Sequence, residues 1–64
     1  MSAPRLARFE VFPDVAGQWR WRLCAVNNEV ICQSESYSRK RDAKRAVRSV
    51  RLAALTARVV EGTN

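Results

Sequence analysis

The densest concentration of chemically active side chains lies between Arg39 and Arg51. On a helical wheel, Lys40, Arg41, Lys44, Arg48 and Arg51 form a band about 100° wide, opposite a stripe of alanine and valine. Arg39 precedes them in the same basic run. Chemistry of this kind is recognition of anions. Ten of the twelve cations in the chain are arginines, whose planar forks pair bidentately with phosphates and carboxylates. Catalysis has little to draw on. There is no histidine, so the commonest general base and metal ligand is missing. The six carboxylates fall on strands, turns or chain ends, and no glycine-rich loop precedes the basic run to cradle a phosphate. Two cysteines, Cys24 and Cys32, cannot complete a tetrahedral metal site. The inventory predicts a protein that binds, is not an enzyme, and uses no cofactor.

Charge is divided unevenly along the chain. Residues 1–36 carry four basic and four acidic side chains, whereas residues 37–64 carry eight basic and two acidic ones, so the second part holds the whole net charge of +6. Arg39, Lys40 and Arg41 fall in the first turn of the expected helix, where the macrodipole disfavours cations by several tenths of a kcal/mol each, and Asp42 offsets part of this. A segment selected for stability alone would place acids there. The pattern points to an anionic partner, nucleic acid first. An acidic protein surface is the alternative, with the chain acting as an interaction module or a small phage or mobile-element inhibitor. The plain reading is a solvated helix face.

The elements that position these residues follow from periodicity. Arg8 to Phe12 reads as a strand stopped by Pro13-Asp14 and a turn ending at Gly17. From Gln18 to Ala25 the pattern alternates, with Trp19, Trp21, Leu23 and Ala25 facing one way and Arg20, Arg22 and Cys24 the other. Asn27-Asn28 suits a two-residue type I′ turn into a third strand, Val30 to Glu35. That turn sets Leu23 opposite Cys32 and Arg22 opposite Gln33. A three-residue first loop with Phe9 opposite Trp21 and Val11 opposite Trp19 gives a Glu10–Arg20–Glu35 ladder. Cys24 and Cys32 then point to opposite faces and form no intrachain disulfide. Ser38 is the expected N-cap of a helix from Arg39 to about Leu55. Ala43, Ala46, Val47, Val50 and Ala54 are its core stripe, closing on Phe9, Trp19, Trp21 and Leu23. Tyr37 is the only aromatic placed to join the basic band. Thr56 to Glu61 is either a short last strand or an extension of the helix.

Sixty-four residues make one domain, 1–64 with an ordered core at about 8–61. A chain this short buries only about 60% of its unfolded surface and usually needs a disulfide, a metal or a partner subunit. With the first two disfavoured, oligomerisation remains. No apolar run approaches the roughly 20 residues that span a bilayer, and no apolar leader opens the chain. The expectation is a soluble, cytoplasmic protein.

The run Phe9-Glu10-Val11-Phe12, Gly17, Trp21-Arg22-Leu23, Asn27, Glu29-Val30-Ile31, Ser34-Glu35, Tyr37-Ser38, Ala43, Val47 and Val50 resembles the YegP-like family. The resemblance covers nearly the whole chain and implies an α+β fold, a β-β-β-α-β unit. It also implies that two units intertwine, as tandem repeats or, for a single repeat such as this one, as a homodimer. The chain departs from the pattern at Asn28 and Ser36, where glycine is common, and in the basic Arg39–Arg51 segment. The family brings no catalytic residues.

Overall fold

Three strands, β1 (Arg8–Pro13), β2 (Trp19–Cys24) and β3 (Val30–Gln33), form an antiparallel sheet in the order β1-β2-β3, followed by one helix, α1 (Lys40–Thr56). The computed structural model describes residues 6–62; the outermost parts of the expected 1–64 domain lie outside the described residues. The α+β architecture expected from periodicity is the one observed.

Both hairpins close in the same way. At the first, the Asp14 amide donates to the Gln18 carbonyl at 2.7 Å and the Gly17 amide to the Asp14 carbonyl at 3.0 Å. At the second, the Ala25 amide donates to the Glu29 carbonyl at 2.8 Å and the Asn28 amide to the Ala25 carbonyl at 2.9 Å. Each is a three-residue loop, a tight turn followed by a left-handed residue: Gly17 at φ 80° and Asn28 at φ 73°. The two-residue I′ turn expected at Asn27-Asn28 is therefore not formed. It would need two left-handed residues; the longer loop needs one, and asparagine tolerates that conformation.

Loop placement sets the register. Because Gly17 takes the left-handed position, β1 pairs with β2 as Phe9 with Leu23, Glu10 with Arg22, Val11 with Trp21 and Phe12 with Arg20. This is two residues away from the expected pairing. A two-residue slip leaves every side chain on its face, but it dissolves the Glu10–Arg20–Glu35 ladder. Arg20 pairs instead with Asp14 at 3.0 Å, and Glu10 receives Arg22 at 2.6 Å and Arg8 at 2.7 Å. Between β2 and β3, Arg22–Gln33 and Leu23–Cys32 pair as expected, but Cys24 meets Val30. Ile31 is the extra residue of a bulge that takes up the longer loop.

α1 lies over the face that carries Trp21. Trp21 is 7% exposed and Ala43 fully buried, and the Phe9 and Trp21 rings meet edge to face at 5.5 Å. Phe9, Trp19, Leu23, Val47 and Val50 are half-buried around them. Ala54, expected in the core stripe, is exposed, because the last turns of the helix outrun the sheet. Ser38 does not cap the helix: Arg39 occupies the N-cap with extended backbone and no side-chain cap bond. At the far end Ala57 is extended, at φ −65° and ψ 135°, so residues 57–62 leave the helical path.

This fold covers its apolar surface incompletely. All four residues of β3 are exposed; Ile31 is 59%, Leu55 81%, Val59 95% and Val60 83% exposed. The radius of gyration is 14.1 Å, against about 11 Å for a compact chain of this length. Accessible surface is 5774 Å², against about 4,200 Å² for a compact monomer of this mass.

Candidate anion-binding face of the helix

The buried stripe of α1 fixes where its cations point. With Ala43 against the sheet and Ala46, Val47 and Val50 half-buried beside it, Arg39, Lys40, Arg41, Lys44, Arg48 and Arg51 are all exposed. Arg41, Lys44, Arg48 and Arg51 come together along a shallow groove of about 410 Å³. Two expected members stand apart. Lys40 turns to the sheet, its Nζ 5.3 Å from the centre of the Trp19 ring, and Arg39 is the N-cap. The groove also takes in Arg45 and Val47. The helical-wheel band left Arg45 out, although its spacing of four from Arg41 and three from Arg48 puts it on the same surface. A second recess of about 240 Å³ continues past Arg48 and Arg51 to the exposed Leu52 and Leu55.

Sheet and helix treat their cations differently. The three ion pairs among the described residues all join sheet arginines to Glu10 or Asp14. Hydrogen bonds from Arg22 and then Arg8 hold the Glu10 carboxyl below its usual range. The Gln18 amide and then Arg20 do the same for Asp14. Arg22 also lies over the Phe12 ring, 4.8 Å from its centre. No groove cation has a carboxylate within ion-pair distance among the described residues. The sole acid of the first turn is Asp42, and the last turn has no base, so the helix charge is positive where the macrodipole is also positive.

Elsewhere there is little reactive chemistry. No group of three or more potential metal ligands occurs among the described residues. Cys24 is buried and Cys32 exposed, both as free thiols. Among the described residues, no helix is long and apolar enough to cross a membrane.

Residues 14–61 match the family described as a domain of unknown function, DUF1508. The chain belongs to the DUF1508 family. Its relatives include a UPF0339 protein of Agrobacterium fabrum, 38% identical over 56 residues, which are 88% of this chain and 90% of the relative. A UPF0339 protein of Neisseria meningitidis serogroup B is 46% identical over 39 residues, 61% of this chain and 70% of the relative. A protein from Haloferax volcanii, solved in solution by NMR, superposes with a TM-score of 0.77 at 39% identity, covering 91% of this chain and 98% of that one. The YegP-like resemblance of the strand and helix residues and membership of DUF1508 agree.

Proposed function

We propose that this DUF1508 chain is a non-catalytic homodimeric binding protein whose arginine-rich helix face engages an anionic macromolecule, nucleic acid foremost. The observation that carries the reading is the separation of charge: sheet arginines are neutralised internally, while Arg41, Lys44, Arg45, Arg48 and Arg51 share one groove with no acid paired to them. Like charges held together on one face cost stability, and a polyanion that pairs with them, releasing its own condensed counterions, offsets that cost. Each phosphate neutralised on a duplex lowers the slope of log affinity against log salt by about 0.9. Arg48→Ala should flatten that slope by about one contact and weaken binding evenly across sequences, since backbone contacts carry little sequence information. A folded protein whose affinity ignores both salt and Arg48 would overturn the reading.

The homodimer rests on the surface left uncovered. The β3 edge and the exposed 57–62 segment each present unpaired backbone or bare valines, and a final strand built from the latter would give each what it lacks. Two chains compacted to the usual density would bury on the order of 4,600 Å², within the range of obligate dimers. Light scattering should return twice the 7.3 kDa chain mass; a stable micromolar monomer would end this part. We place the protein in the cytoplasm, a reducing compartment that suits its two free thiols.

The second reading, an acidic protein surface or an inhibitor's target, is favoured by Leu52 and Leu55, 61% and 81% exposed beside Arg48 and Arg51. It predicts an Arg48-dependent complex in lysate that survives nuclease, with no binding to nucleic acid at low salt.

A further inference from the structure

Resting on the nucleic-acid reading above, we infer that the ligand is a double helix gripped through the phosphates of both its strands, not a single strand. The first observation is the width of the charged surface. At 100° per residue, Arg51 and Arg45 stand about 120° apart around the helix axis, with Lys44, Arg48 and Arg41 between them, and all five line the same groove. Cations on both shoulders of a rod 10–12 Å across match the two phosphate walls of a duplex major groove about 12 Å wide. A lone strand offers one backbone and would meet one line of cations. The rod is also accessible: α1 is 17 residues long, about 26 Å at 1.5 Å per residue, and every residue from 51 to 56 is exposed.

The second observation is where the aromatic rings are. Single-strand binding without sequence preference relies on bases stacked on aromatic side chains beside a basic track. The chain has five such rings, and none lines the groove. Trp21 is buried against Phe9, Phe12 lies under Arg22 and Trp19 under Lys40. Tyr37, the ring expected to join the basic band, is not among the groove's lining residues; its backbone amide and carbonyl bond to those of Trp19 at 2.7 Å. The surface holds cations for two backbones and no platform for bases.

The test is fluorescence anisotropy at low salt with a labelled 20-base-pair duplex and with each of its separated strands, using the intact protein. The duplex should bind at least about tenfold more tightly, with a salt slope near −0.9 per contact against about −0.7 for single strands. Arg45→Gln and Arg51→Gln, on opposite shoulders, should each reduce duplex affinity and flatten its slope, with circular dichroism unchanged. Tryptophan emission should stay the same on binding. Single strands bound as tightly as the duplex, or with quenched tryptophan emission, would overturn this inference while leaving the nucleic-acid reading intact. A folded protein that binds neither would remove that reading, and this inference with it.

Discussion

The arginines of the sheet and those of the helix carry the same charge in opposite surroundings. Arg8, Arg20 and Arg22 each meet a carboxylate within 3.0 Å, one strand position or one turn away. Arg41, Arg45, Arg48 and Arg51 meet one another's neighbourhood and solvent. The difference is that charge in the sheet belongs to the fold and charge on the helix does not. Removing a sheet arginine should lower stability slightly, whereas removing a helix arginine should leave it unchanged or raise it.

The most damaging change should fall on the scaffold that both sets share. Trp21→Ala removes the largest buried side chain of the sheet and the edge-to-face contact with Phe9, and should cost about 3–5 kcal/mol in denaturant unfolding. A folded, cooperative variant with unchanged midpoint would show that the helix packs on the other face. Lys44→Glu sharpens the comparison from the helix side. It turns repulsions with Lys40, Arg41 and Arg48, three or four residues away, into attractions worth about 0.2–0.5 kcal/mol each. Stability should rise by about 1 kcal/mol, and the anion binding proposed above should weaken. Were the variant less stable, the helix cations would be part of the fold after all.

The two loops offer a finer contrast, since Gly17 and Asn28 hold the same left-handed position. Gly17→Ala should destabilise by about 1 kcal/mol, and Asn28→Gly should change stability by no more than a few tenths. Equal effects would mean that the turns differ in kind. The smallest effect is the acid limb of the stability curve. Glu10 and Asp14 titrate below their usual 4.5 and 3.8 in the folded chain. Their contribution is present above those unfolded values and is lost as pH falls through the depressed folded ones. Glu10→Gln should make the midpoint less sensitive to pH below about 4, and Arg48→Gln should leave that limb unchanged.

How much of this was legible beforehand depends on the range of the interaction. The alternation Trp19-Trp21-Leu23 against Arg20-Arg22 assigns the faces of β2, and the spacing of Ala43, Val47 and Val50 assigns the inner side of α1. Both are periodicities of neighbours along the chain, and a slip of two residues does not disturb them. The site was legible to the same degree: Arg41, Lys44, Arg48 and Arg51 share the groove, as their spacing indicates. Partners across strands were not. Whether Arg20 meets Glu10 or Asp14 depends on which residue turns left-handed in the loop, and closing backbone hydrogen bonds at Asp14 and Gln18 decides that.

What the sequence by itself determined is therefore the class of the fold, the inward faces and the surplus of charge on one helix, because burial and charge are properties of each residue and its near neighbours. Tertiary structure alone decided the strand register, the diversion of Lys40 to Trp19 and the exposure of the helix end. These depend on where separate elements come to rest against each other, and packing and hydrogen-bond closure settle that only once the chain has folded.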